Sequence, residues 1–227
     1  DCARKMNKTL TTILALAAAA TGAASFAQEV KGDVQAGSQK IDMCIGCHGI
    51  IGYQASFPEV YKVPMISGQS AGYLSAALHA YKKGERRHPT MRAVAETLTD
   101  QDIADVSAYY AQSGKTEKDA SLPDVPAREP STQVAGLLQK GACVSCHGAN
   151  FAKPIDPSYP HLAGQNADYL FVALKSYKVD NNAKVGRANP IMGGIAKQFS
   201  NAELKSLSKY IGSVDGDLKV VPQSRFR

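Results

Sequence analysis

Two short stretches of this chain combine residue types and spacing that fit one chemistry: Cys44-Ile45-Gly46-Cys47-His48 and Cys143-Val144-Ser145-Cys146-His147. Two cysteines three positions apart, followed at once by histidine, form the attachment signature of c-type haem. Each thiol adds across one porphyrin vinyl group, so the two sulfurs span one edge of a macrocycle. The next residue then lies beneath the iron, with its imidazole as proximal ligand. A disulfide or a zinc site is the competing reading of each Cys-x-x-Cys pair. It is disfavoured because other haem-binding features recur beside both copies. The sequence therefore predicts two covalently bound haem c groups, with Cys44, Cys47, Cys143 and Cys146 as anchors and His48 and His147 as proximal ligands.

A sixth ligand must reach each iron from the far side. Met91 follows Pro89-Thr90 and Met192 follows Pro190-Ile191, 43 and 45 residues after the two histidines. A lone methionine is ordinarily core filler, but a paired Pro-x-Met at matching places predicts two thioether ligands. Proline fixes the local backbone, and the expectation is that it presents the sulfur from a loop. His161 aligns with Met65 rather than with a ligand type and is not expected to bind iron. His79 reads as an exposed helix residue and His88 as a loop residue beside the first methionine. Pro64 and Pro160 either offer carbonyls to the proximal imidazoles or stiffen their loops. Arg86 and Arg187 are either partners of haem propionates, for which the guanidinium fork is suited, or solvated loop charges.

The elements that must position these groups come in two copies. Ala36-Gly37 recurs as Ala135-Gly136, and the attachment sites are offset by 99 residues. Pro64, Gly68, Gln69, Tyr73, Leu74 and Tyr81 recur 96 positions later; Arg86, Pro89, Met91 and Tyr109 recur at an offset of 101. Offsets that change between blocks mark insertions in loops. The local pattern is helical. Asp33 to Cys44 predicts a first helix running into the attachment site, and Ala71 to Lys83 predicts another, stopped by Gly84. Thr99 is expected to cap a helix containing Ile103, Val106 and Tyr110. Ser200 and Glu203 form a capping box before Leu204, Leu207 and Ile211. Gly37 and Gly136 are expected to let the first and last helices of each copy approach closely, with Tyr109 and Tyr210 packed at the crossings. No run of alternating strand residues is evident. The fold class is all-α.

Residues 6–27 read as an export signal: a basic start at Lys8, an apolar run from Leu10 to Ala20, and small residues ending at Ala27. The expected division is a leader over 1–27, an N-terminal domain over 28–112, a linker over 113–130 rich in proline and charge, and a C-terminal domain over 131–227. After the leader the chain carries 23 basic and 19 acidic residues, net +4. Four propionates from two haems would largely cancel that charge, so the basic balance does not point to nucleic acid. The charge is unevenly spread. Residues 28–120 are net −1 and residues 121–227 net +5, which predicts a dipole that orients partners during encounter.

With both attachment sites, both Pro-x-Ile/Leu-x-Gly-Gln segments and both Pro-x-Met segments in place, the chain resembles the dihaem cytochromes c of the c4 type over about residues 30–215. That resemblance implies two tandem class I cytochrome c domains, each wrapped around one haem, with roughly two-fold related domains. It also implies a periplasmic or peripherally membrane-associated electron carrier between a quinol-oxidising complex and terminal oxidases. His/Met ligation agrees with this, because a saturated iron exchanges electrons without binding substrate. Two other classes remain open. A cytochrome subunit of a larger dehydrogenase, such as a sulfide-oxidising flavocytochrome, would share the layout. A dihaem peroxidase would need one open iron with acid–base groups beside it.

Overall fold

The computed structural model describes residues 30–223; the expected leader over 1–27, with Cys2 and Met6, lies outside them. Each repeat begins at a helix, and the first begins at α1, Val34–Ser38. The Asp33 carboxylate caps it by accepting from the Ala36 amide at 2.6 Å. The single helix expected over Asp33–Cys44 is in fact two. The Gln39 and Lys40 amides bond back only three residues, to the carbonyls of Ala36 and Gly37, which tightens and ends the first turn. Ile41 then turns into the core, and α2, Asp42–His48, starts afresh. This break aims the attachment helix independently of α1.

In the first repeat α3 (Ala71–Lys82), α4 (Pro89–Glu96) and α5 (Asp100–Gln112) follow. Ser70 caps α3, and Gly84 beyond its end has φ +76°, a conformation that favours glycine. Thr99 and Asp102 form a reciprocal capping box on α5. A one-turn helix, α6 (Glu117–Ala120), lies between the repeats. The second repeat holds α7 (Thr132–Lys140), α8 (Cys143–His147), α9 (Ala167–Ser176), α10 (Pro190–Ala196) and α11 (Asn201–Gly212). Ser200 and Glu203 build the predicted capping box on α11. The class is all-α, as expected. Among the described residues four strands of two residues each also form, too short for alternation to show in the sequence. Antiparallel β1 (Gln54–Ala55) and β2 (Tyr61–Lys62) pair inside the first repeat. Antiparallel β3 (Arg86–Arg87) and β4 (Gly186–Arg187) pair across the two repeats.

Each repeat has its own core. In the first, α1 and α3 pack on α5 around Ile41, Ile45, Leu74, Val106 and Tyr110. In the second, α7 and α9 pack on α11 around Leu137, Leu138, Phe151, Leu170, Leu204 and Ile211. The segment between the repeats is not a free spacer. Asn150 Nδ2 donates to the Pro123 carbonyl at 2.6 Å, Lys153 pairs with Asp124 at 2.7 Å, and the Tyr210 hydroxyl donates to the Arg128 carbonyl at 3.0 Å. The C-terminal tail crosses back to the first repeat, where the Lys219 amide donates to the Ser67 carbonyl at 3.0 Å. Among the described residues no helix is long and apolar enough to cross a membrane.

The two glycines expected at helix crossings differ. At Gly37 an added Cβ would lie 2.2 Å from the Asp105 carbonyl oxygen and 2.8 Å from Tyr109 Cβ, so α1 approaches α5 as expected. At Gly136 nothing lies within 4 Å; α7 buries Val134, Leu137 and Leu138 and turns Gly136 to solvent. Gly37→Ala should therefore destabilise the protein by about 1–3 kcal/mol through a backbone clash. Gly136→Ala should stabilise it by about 0.5–1 kcal/mol, by removing glycine's helix penalty. Denaturant unfolding of the two variants checks both signs.

Candidate haem sites

Both attachment motifs face one continuous cavity of about 590 Å³, mostly apolar, that runs from the first repeat into the second. Cys44, Cys47, His48 and Met91 line it from one repeat; Cys143, Cys146, His147 and Met192 line it from the other. None of the four cysteines is in a disulfide. Burial pushes the Cys44 thiol up to about 11 and raises Cys143 as well, as apolar surroundings do to any thiol.

His48 and His147 sit at the last positions of α2 and α8. His48 Nδ1 lies 2.8 Å from the Pro64 carbonyl oxygen, and His147 Nδ1 lies 3.4 Å from that of Pro160. A carbonyl only accepts, so Nδ1 carries the proton in each ring and Nε2 presents its lone pair to the cavity. Burial holds both imidazoles below their usual pKa, only partly offset by the proline carbonyls. Each is thus neutral and oriented, the state a metal requires of imidazole. Pro64 and Pro160 hold the rings, which resolves the choice left open by the sequence.

The methionines are not on loops. Pro89 and Pro190 occupy the first positions of α4 and α10, so Met91 and Met192 lie in the first helical turn. Proline is at home there because the first amides of a helix have no partner within it. Side chains cap both turns: the Met91 amide donates to His88 Nδ1 at 3.4 Å, and the Met192 amide to Asn189 Oδ1 at 2.9 Å. His88 thus lies in the loop before α4, as expected, and also caps that helix. His79 is half-buried, bonded to the Ser75 carbonyl and 3.4 Å from Asp100, rather than exposed. His161 Nδ1 is held by the Asp217 carboxylate at 2.9 Å.

Arg86 and Arg187 are not solvated charges. The β3–β4 pairing places them opposite one another across the repeats. Tyr169 accepts from both guanidinium groups, at 3.3 and 3.0 Å, and Tyr73 from Arg86 at 3.2 Å. The guanidiniums also stack on Tyr81 and Tyr177, 4.6 and 5.3 Å from the ring centroids. Burial works to raise the Tyr169 pKa, and the two cations outweigh it, holding the phenol below its ordinary value. Arg86 Nε is buried without a hydrogen-bond partner. Two neighbouring cations and an orphaned donor beside an apolar cavity fit a planar apolar group with carboxylate substituents, which is what a haem offers.

The first and last helices of each repeat, the attachment helices and the methionine turns match the Cytochrome c family over residues 34–113 and 132–215. Cytochrome c4 of Pseudomonas aeruginosa is 32% identical over 208 residues, covering 91% of this chain and 98% of that protein. The chain belongs to the cytochrome c family and is of the dihaem c4 type. The solved structure of reduced recombinant cytochrome c4 from Pseudomonas stutzeri matches with a TM-score of 0.61 and 28% identity, over 81% of this chain and 100% of that one. A thiosulfate dehydrogenase electron acceptor of Stutzerimonas stutzeri is 29% identical over 182 residues, covering 75% of this chain and 78% of that protein. As a c4-type cytochrome the chain is an electron carrier and not an enzyme, with two covalently bound haem c groups that Cys44, Cys47, Cys143 and Cys146 fit as anchors. What sequence reasoning assigned no role are Tyr73, Tyr169, Gln69 and Gln165 at the junction of the repeats. Their recurrence was the available signal.

Proposed function

We propose that each haem is held between His48 and Met91, or His147 and Met192, and that the two relay electrons between redox partners within one chain. The observation that carries this is the matched placement of a neutral, oriented histidine and a helix-capped methionine from each repeat on a single cavity. The haems supply one-electron exchange at iron. The chain supplies the rest. His48 and His147 keep Nε2 free and aimed, the methionines offer a soft ligand that favours the ferrous state, and apolar walls exclude water. Arg86 and Arg187 place two cations at the junction of the repeats, where they would pair with propionates and offset part of their charge. The domain division drawn from the sequence serves the same reading, with one haem per domain.

The physiological route we propose is periplasmic, after removal of the leader, from a quinol-oxidising complex towards terminal oxidases. A second route has its own support: the relatives named as thiosulfate dehydrogenase electron acceptors favour a thiosulfate dehydrogenase as donor. The exposed Lys184, Lys205 and Lys209 of the second domain suit an acidic partner there, in keeping with the charge asymmetry. Mixing the oxidised holoprotein with each purified donor in a stopped-flow instrument separates the routes. The first predicts fast reduction by the quinol-oxidising complex, slowed by salt; fast reduction only by the dehydrogenase replaces it with the second.

A further inference from the structure

The two repeats exchange hydrogen bonds through Gln69 and Gln165 in a reciprocal pattern. Gln165 Oε1 accepts from the Met65 amide at 3.0 Å while its Nε2 donates to the Met65 carbonyl at 2.9 Å. Gln69 Oε1 accepts from the His161 amide at 2.8 Å while its Nε2 donates to the His161 carbonyl at 3.0 Å. Both side chains are buried, at 3% and 4% exposure. Each Oε1 is also fixed by the following amide of its own chain segment, Ser70 or Asn166, at 2.9 Å. These glutamines are thus locked, satisfied side chains reaching into the opposite repeat.

What they grip matters. The Met65 amide and the Pro64 carbonyl are the two ends of one peptide unit, and that carbonyl accepts from His48 Nδ1. The His161 amide and the Pro160 carbonyl are likewise one unit, accepting from His147 Nδ1. A peptide whose N–H is engaged is more polarised, and its oxygen becomes a stronger acceptor, because hydrogen bonds in a chain strengthen one another in a low-dielectric interior. A stronger acceptor on Nδ1 makes the imidazole a more basic ligand.

We propose that Gln69 and Gln165 are crossed positioning residues: each lies in one domain and tunes the proximal histidine of the other through a single peptide unit. The inference rests on the reading of His48 and His147 as proximal ligands. It supplies a direct path by which one domain sets the ligand field of the other. The path is shorter towards His48, at 2.8 Å against 3.4 Å for His147, so Gln165 should exert the larger effect.

The test uses the holoprotein, with the two potentials assigned by amide resonances flanking each attachment site during a redox titration followed by NMR. Gln165→Leu removes the acceptor from the Met65 amide, weakens the ligand and destabilises ferric iron. It should shift the reduction equilibrium of the first domain's haem towards ferrous by up to about tenfold, which is about 59 mV for one electron. The second domain's haem should move much less. Gln69→Leu should do the reverse, with a smaller shift. Gln165→Glu keeps an acceptor at Met65 and should move the first haem the other way, whereas a merely loosened interface would move the Leu and Glu variants in the same direction. Shifts confined to the variant's own domain, equal shifts in both, the same sign for Leu and Glu, or no shift would each overturn the proposal. If His/Met spectra are intact in such a case, the ligand reading stands while the coupling fails. A wild type without a histidine ligand at Cys47-His48 would instead remove the reading beneath it.

Discussion

Met91→Ala and Met192→Ala should each open one iron while leaving that haem attached. The weak near-infrared absorption that reports methionine bound to ferric iron should fall by about half in either variant, because each of the two sites contributes one such bond. The potential of the altered haem should drop, since the thioether is what favours the ferrous state, and that iron should begin to bind small exogenous ligands. The thioether bonds to the cysteines are unaffected, so the haem count stays the same. Met91 and Met192 lie in the first turns of capped helices, where alanine is well tolerated, so the folded chain survives the change. A variant that keeps the full band has lost a methionine that was not a ligand.

Arg86→Leu should be the most damaging change away from the ligands. The guanidinium sits beside Arg187, hydrogen-bonds Tyr73 and Tyr169, and leaves Nε buried and unpaired within the protein. With propionates in place it becomes the partner of a buried anion, and removing one member of such a pair costs about 3 kcal/mol or more. The loss of a nearby cation also stabilises ferric iron, so the potential should fall. Denaturant unfolding followed at the haem absorption, together with a redox titration, measures both. Unchanged stability and potentials would mean that the guanidinium pairs with no propionate. The pair's opposition matters here: were there no anion between them, deleting Arg86 would relieve repulsion with Arg187 and raise stability, so the sign of the change is informative by itself.

The legible parts of this molecule were those fixed by local chemistry. The attachment motifs, the Thr99 and Ser200 caps, the stop at Gly84 and the repeat itself depend on residues a few positions apart. The other parts depend on contacts between distant segments, or on a residue type that serves two local structures equally well. The first helix divides at Gln39 because Ile41 is drawn into a core shared with Leu74 and Val106, and no local signal announces that. Pro89 and Pro190 suggest a loop, although proline serves equally as the first residue of a helix; the capping side chains of His88 and Asn189 decide between the two. Gly136 recurs with Gly37 and yet faces solvent, so repetition preserved the residue without preserving its contact. Gln69 and Gln165 were visible only as recurring letters, because their partners lie in the other repeat, about a hundred positions away in the chain.

Two six-coordinate His/Met haems in one chain should carry electrons and bind no substrate. A potentiometric titration of the purified holoprotein, followed in the visible and near-infrared, tests this directly. The predicted result is two one-electron steps, low-spin spectra in both oxidation states and a near-infrared band of two-methionine strength that neither peroxide nor other small ligands disturb. A single step, or one high-spin iron that reacts with peroxide, would contradict the claim and turn the reading towards a dihaem enzyme.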